Sequence, residues 1–551
     1  MRVAGFRPFP DPRRTRQRGS VKVRAVRQSR CSRASSAGPV RQSRCSRAGA
    51  TALREFSSTL RSFACLSWHQ GHRLPVRGQA LALSGLADNV ARGLESAGAG
   101  LSEMLFEPVI RLGVTGMARS GKTVFITSLV ANLIDRGRMP QLQAAASGRI
   151  VAAWLQPQPD VTLPRFDYEN HLAALTGPVP HWPDSTRTVS ELRLSLRVQP
   201  GGLLGLVSGP RTVHLDIVDY PGEWLLDLGL MAKSYSEWAD QTLARIAARA
   251  SAADYLRLAA STDAGARLAE PQAQALAHAF TGYLHAARTA GFSDCTPGRF
   301  LLPGDLAGSP VLTFAPLPRP ARTPRAALWR EMERRYDAYR RQVVTPFFRD
   351  HFARVDRQIV LVDVLGAIHA GPQAVEDLRA AMGDILAAFR PGRNAWLTAF
   401  LLGRRVDRIL FAATKADHLH HRQHPRLTAI IEALVRDAKA RADFAGARTG
   451  AMSIAALRAT VEETLTHDGT VLDCVRGRLP DSGKQAALFA GELPDDPARL
   501  LAPARQGAER WLDADYRVMN FAPSVLGLKP GDGPPHIRLD RAAEFLIGDR
   551  L

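Results

Sequence analysis

At 551 residues, 45% hydrophobic and 23% charged, the chain can bury one large core or two smaller ones, which excludes global disorder. Its net charge of +21 has the size of a nucleic-acid binder's, but residues 1–80 hold eighteen Lys or Arg against Asp11 and Glu55, leaving +5 for the rest. Nucleic acid is therefore not an expected partner. Cys31, Cys45, Cys65, Cys295 and Cys474 form neither a disulfide framework nor a metal-ligand spacing. No apolar run approaches the roughly 18 residues a membrane-spanning helix requires, so the folded part is expected in the cytoplasm, with peripheral membrane contact left open.

Residues 1–80 are rich in Arg, Ser and Gly and lack an apolar period, so they cannot offset the entropy of ordering and are expected to be disordered. The nine residues 26–34 recur at 40–48, a low-complexity repeat. This composition fits translation from upstream of the true start, the favoured reading, or a transit peptide. Leu83, Leu86, Val90 and Leu94 then predict an amphipathic lead-in helix over 82–99.

Next come a β-branched run over 109–115, a glycine-rich turn, and a helix over 123–134 with Ile126, Val130 and Leu133 on one face. Buried strands are predicted over 212–218, 358–364, 408–413 and 450–454, with an alternating edge strand over 191–198. Helical patterns over 373–389 and 427–442 follow strands, which predicts an α/β fold with a mostly parallel sheet covered on both faces. Residues 223–357 are too long for a simple crossover and read as an insertion, helical over 235–260, 271–290 and 325–352 and extended over 300–320. The expected organisation is a domain in two parts, 81–222 and 358–551, the second with a C-terminal extension, interrupted by that insertion, which is either a packing subdomain or a lid or module that binds a protein partner.

Four stretches carry chemistry. Gly116, Met117, Ala118, Arg119, Ser120, Gly121, Lys122 and Thr123 match the phosphate-loop pattern between strand and helix. Glycines let backbone N–H groups face the phosphates, Lys122 would reach the β- and γ-phosphates, and the Thr123 hydroxyl would ligate Mg²⁺. Asp219 and Gly222 form a DxxG turn, in which Asp219 would hold the magnesium through water and the Gly222 N–H would meet the γ-phosphate. Thr414, Lys415 and Asp417 fit [NT]KxD, whose carboxylate can accept from two donors on guanine that adenine lacks. Ser453, Ile454 and Ala455 stand where a turn backing the base would lie. Between the first two motifs, HWPDSTRT at 181–188 offers Thr186 or Thr188 as a magnesium-sensing hydroxyl, polar loop residues being the equal alternative. Together these motifs predict a P-loop NTPase with a sheet of Ras-like G-domain type, binding GTP or GDP with magnesium.

Residues 111–134, the HWPDST stretch, residues 215–228 (LDIVDYPGEWLLDL), residues 357–364 (RQIVLVDV), TKAD and the terminal residues 535–551 occur in an order that resembles the YcjX family of bacterial P-loop proteins, over roughly residues 80–551. The resemblance implies a Ras-like GTPase core with added helical parts, guanine-nucleotide binding and an association with stress response. Members are also labelled ATPase-like, which conflicts with TKAD. Where Ras-like proteins carry a water-orienting Gln after DxxG, this chain has Glu223, and Arg187 is the candidate internal arginine finger. The expected function is a slow GTPase acting as a nucleotide-dependent switch; the alternatives are an ATPase or a nucleotide-stabilised scaffold without turnover.

Overall fold

A computed structural model describes residues 107–117, 119–184, 188–201, 209–350, 354–387, 406–444, 446–511 and 516–551. The expectations for residues 1–80 and the lead-in helix lie outside the described residues, as do Ala118, Thr186 and Arg187.

Strand β1 (Val109–Gly116) is the centre of a seven-stranded sheet, with Leu112 and Val114 fully buried. It leads through the glycine-rich turn into α1 (Lys122–Ile134). β2 (Ile150–Gln156), β3 (Ser190–Val198) and β4 (Arg211–Asp219) follow, then β5 (Arg357–Val362), β6 (Arg408–Ala413) and β7 (Arg448–Ser453), in the sheet order β2-β3-β4-β1-β5-β6-β7. Pairing is parallel from β4 through β1, β5 and β6 to β7, and antiparallel at β2–β3 and β3–β4.

Side chains alternate between two cores. Ile359 and Leu361 of β5 join the cluster beneath α1, while Val360 and Val362 join the cluster under the insertion. Being buried on both faces is why the parallel strands read as continuous apolar runs.

Two expectations are corrected and one sheet is added. The stretch 191–198 is not an edge, because β2 pairs along it; β2's mixture of Ala, Trp and Gln hid it. A second sheet, β8 (Thr460–His467), β9 (Thr470–Arg478) and β10 (Gln485–Leu488), is antiparallel; Glu462, Glu463, Asp473 and Arg476 break up its apolar residues, so it gave no apolar run. The helix over 427–442 is two helices, His424–Leu434 and Arg436–Phe444, interrupted at Val435, whose backbone leaves helical geometry.

Residues 223–357 contain α2 (Tyr235–Ile246), α3 (Ala253–Ser261), α4 (Glu270–Thr289) and α5 (Leu328–Tyr339), packed around Trp238, Phe280, Phe314 and Tyr336. Trp238 stacks on Tyr336 at 5.1 Å between centroids and meets Phe280 and Phe314 edge-on. α2 opens with a full capping box between Ser234 and Glu237. The C-terminal helix α6 (Leu539–Ile547) closes the other face of the sheet through Leu539, Ala542, Leu546 and Ile547. Among the described residues no helix is long and apolar enough to cross a membrane.

Candidate functional site

Parallel strands deliver their following loops to one end of the sheet, and there β1, β4, β6 and β7 converge. Gly116 ends β1 against Leu361 of β5, so tightly that a Cβ would overlap Ser120 Oγ. Arg119 and Gly121 take left-handed backbone, φ 62° and 81°, which turns the chain around a hollow before α1 begins. α1 has Gly121 at its N-cap and no side-chain cap, so its first N–H groups face that hollow uncovered. The Lys122 ammonium arches back and donates to the Gly116 carbonyl at 3.2 Å. Ser120 Oγ is buried without a hydrogen-bond partner, and Thr123 is buried beside it.

Asp219 ends β4 next to Val114 on one side and Ser190 on the other, and is 1% exposed. Three residues on, Gly222 lies against the glycine-rich turn: a Cβ there would overlap the Gly116 carbonyl, so only glycine fits. Glu223 follows, buried, with Oε1 2.9 Å from Nη2 of Arg288 near the end of α4. The insertion is fastened around this pair. The Asp227 carboxylate accepts from the Gly298 N–H at 2.7 Å and from the Tyr339 hydroxyl, and Arg299 lies over the Trp224 ring at 3.2 Å. Burial, the largest influence, pushes the Asp227 carboxyl up to about 7 against the pull of Tyr339, Gly298 and Arg299. Asp377 fixes the loop after α4, accepting from the Ser293 and Asp294 N–H groups at 2.6 and 2.7 Å and pairing with Arg249 at 2.5 Å.

At the other end of the hollow, Thr414, Lys415 and Asp417 follow β6. Lys415 adopts φ 60° and pairs with Asp363, which also caps a helix by accepting from the Gly366 N–H at 2.9 Å. Asp417 is buried; its Oδ2 accepts from the Ala459 N–H at 2.9 Å, and Thr460 donates to its carbonyl. Each carboxylate oxygen has room for two donors, so this bond fixes the group without exhausting it. Ile454 and Ala455 line the hollow, while Ser453 backs them. Its hydroxyl donates to the His424 carbonyl at 3.1 Å and accepts from Thr428 and Arg538.

These pieces enclose one cavity of about 350 Å³, which Arg119, Ser120, Gly121, Lys122, Thr123, Glu223, Thr414, Lys415, Asp417, Ile454 and Ala455 all line. Gly116, Asp219 and Gly222 stand behind that lining, and Met117 faces a smaller adjoining hollow shared by Arg119, Glu223 and Arg288. Thr188 is exposed and does not line the cavity.

Sequence reasoning missed several wall residues. Arg288 lies in an insertion dense with arginine, and nothing local marks it out. Trp182 sits inside the HWPDST stretch and was open to notice; its Nε1 donates to the Phe521 carbonyl at 2.7 Å. Phe521 presses on Gly477 of β9 and meets His418 edge-on at 5.4 Å. Burial holds His418 below the usual histidine range, so it is neutral at pH 7. Arg478 of β9 donates to the Pro180 carbonyl at 2.6 Å, tying the stretch before Trp182 to the second sheet.

Residues 110–551 match the YcjX-like family, DUF463. The chain is 37% identical over 460 residues to the "Ras-like GTPase YcjX" of Escherichia coli strain K12, covering 80% of this chain and 96% of that protein. It is 35% identical over 468 residues to the "Ras-like GTPase YcjX" of Shewanella oneidensis, covering 80% and 94%. With a match running from β1 to the last residue and two relatives spanned almost end to end, the chain belongs to the YcjX-like family.

Proposed function

We propose that this protein is a P-loop guanine-nucleotide-binding protein of the Ras-like type, a slow magnesium-dependent GTPase that works as a switch. The observation that carries the reading is the single cavity in which the glycine-rich turn, Glu223 and the TKAD turn meet, at the loop end of a parallel sheet. The names of the two bacterial relatives agree with it.

Lys122 and the N–H groups of the α1 terminus bind the β- and γ-phosphates. The Thr123 hydroxyl and the buried Asp219 carboxylate are hard oxygen donors that fit a magnesium ion, which supplies charge neutralisation at the phosphates. Glu223 orients the attacking water, and Arg288, 2.9 Å from it, stands ready to stabilise charge that develops on the transferred phosphoryl group. This assigns the arginine role to Arg288 rather than to Arg187. Asp417 reads the guanine edge, with Lys415, Ile454 and Ala455 around the base. Because the residues after Gly222 are clasped by Gly298 and Tyr339, the insertion is the element that reports nucleotide state, to a protein partner it would meet through its outer surface. The family resemblance adds a setting in stress response.

The test is Asp417→Asn. Two hydrogen bonds to a charged group, each about 1.5–3 kcal/mol, separate GTP from ATP by several powers of ten in the wild type. The variant loses GTP affinity and gains affinity for xanthosine triphosphate, whose carbonyl suits the mixed donor and acceptor edge of Asn. Equal wild-type affinity for ATP and GTP would replace this reading with an ATPase.

A further inference from the structure

Immediately after the TKAD turn the chain runs HLHHRQH over residues 418–424. Two of these four histidines have structural partners: His418 lies against Phe521, and His424 Nε2 bonds the Ala416 carbonyl at 2.8 Å. His420 and His421 line no part of the nucleotide cavity and converge instead on Glu462 of β8.

One nitrogen from each ring and one Glu462 oxygen all lie within 4.8 Å of one another. His421 Nδ1 is 2.7 Å from Glu462 Oε2, and His420 Nε2 is 3.7 Å from the same oxygen. The other oxygen, Oε1, accepts from the His421 backbone N–H at 3.1 Å and has Arg458 at 3.8 Å, so the carboxylate is held with Oε2 toward the two imidazoles. The His420 side chain is 8% exposed, and its Nδ1 is buried without a hydrogen-bond partner. That nitrogen faces Asp473 Oδ2 at 3.7 Å, and Asp473 is itself gripped by Arg422 at 2.9 Å.

A buried imidazole whose nitrogen is unsatisfied costs stability unless something else uses the ring. Two imidazoles and one carboxylate match the donor set of open zinc sites, and a carboxylate beyond the far nitrogen of a ligating histidine is the usual outer partner. We propose that His420, His421 and Glu462 form a binding site for a divalent transition-metal ion of the zinc type, separate from the nucleotide cavity. Metal bonds of about 2.0–2.2 Å in a tetrahedron place ligand atoms about 3.3 Å apart, so the 3.7 Å separation closes slightly and the 2.7 Å one opens. The exposed His421 ring has the freedom to make that adjustment. Two imidazoles select against magnesium, which prefers an all-oxygen shell, and three protein ligands leave a fourth position for water. The ion joins the turn after Asp417 to β8, whose first residue Thr460, with Ala459, already holds Asp417. Its consequence is a clamp on the base-reading carboxylate.

The experiment uses the full chain, stripped with a chelator and then freed of it, without nucleotide. Zinc is titrated against a chromophoric competitor, and Co²⁺ serves as a coloured stand-in. One zinc per chain is expected, with the visible absorption of tetrahedral cobalt. His421→Ala and Glu462→Ala, both at positions with exposure to spare, weaken zinc more than about 100-fold, beyond the effect of an outer partner, and Asp473→Asn weakens it about 10-fold. Thermal melts without metal show that the variants fold. No stoichiometric zinc, or zinc bound equally by the two alanine variants, overturns the site and leaves a histidine–carboxylate ion pair in its place. Because no nucleotide is present, either failure leaves the GTPase reading standing.

Discussion

At the end of the cavity formed by the glycine-rich turn, short stretches touch through glycines, and the segment that reaches them is 223–357, through Arg288, Gly298 and Tyr339. At the TKAD end the wall is gathered from the chain after β7, with Phe521 on Gly477, Ala459 on Asp417 and Arg538 on Ser453. The contrast teaches where sequence reading works. Close contact between backbones demands glycine at fixed spacing, so the end built on the glycine-rich turn is written as a motif. A wall of packed side chains tolerates many residues from many places, so beyond TKAD and Ser453–Ala455 it leaves no spacing to find.

The comparison can be broken first at Lys122. Lys122→Ala removes the charge aimed at the phosphates and leaves the loop backbone intact, so triphosphate affinity should fall by at least about 100-fold and turnover should vanish, equally for any base. Calorimetric titration with GTP and xanthosine triphosphate, in wild type and in Asp417→Asn, separates the two ends; a Lys122 effect confined to one base would show that the ends are not independent. Arg288→Ala comes next. If the insertion supplies the arginine, kcat drops about 10³-fold with affinity within a few-fold, and Arg288→Lys, lacking the planar fork, does not restore it. Unchanged single-turnover rates would reduce the Glu223 pair to a strut.

The smallest effect concerns the clasp behind Glu223. The Asp227 carboxyl is pushed up to about 7 in the folded protein, whereas in the unfolded chain it titrates near 4. Between those values the folded state holds more protons, so this residue's contribution to stability is full below about pH 4, falls as pH rises and is flat above about pH 7. Melting temperatures of wild type and Asp227→Asn, compared across that range, should converge from wild type's favour at low pH. A constant difference would mean that Asp227 is charged in its buried site.

Much of the fold was legible because parallel strands buried on both faces leave continuous apolar runs, as over 408–413. β2 was not, since Ala152, Ala153 and Gln156 blur its alternation, and β8 to β10 carry Glu462, Glu463 and Arg476 where a buried strand would show apolar residues. Of the site, Arg119 to Thr123, Glu223, Thr414, Lys415 and Asp417 come together around one cavity, with Gly116, Asp219 and Gly222 behind its wall, while Arg288 was silent because its partner lies 65 positions away in a segment of ordinary helix.

The position of β1 in the sheet has a consequence for synthesis on the ribosome. Its Leu112 pairs with Ile217 on one side and Arg357 on the other, and the Arg111 N–H reaches Asp356 across 245 residues. The glycine-rich turn therefore emerges early but has one open strand edge until residues 223–357 have been made, and such long-range pairing is slow and exposed to association. Closure comes later still: Arg357, 1% exposed, awaits Asp549 near the last residue for one of its two ion pairs. A chain stalled or clipped before Asp549 leaves that guanidinium half-paired beneath the sheet, so 192 residues must follow Arg357 before this fastening is complete.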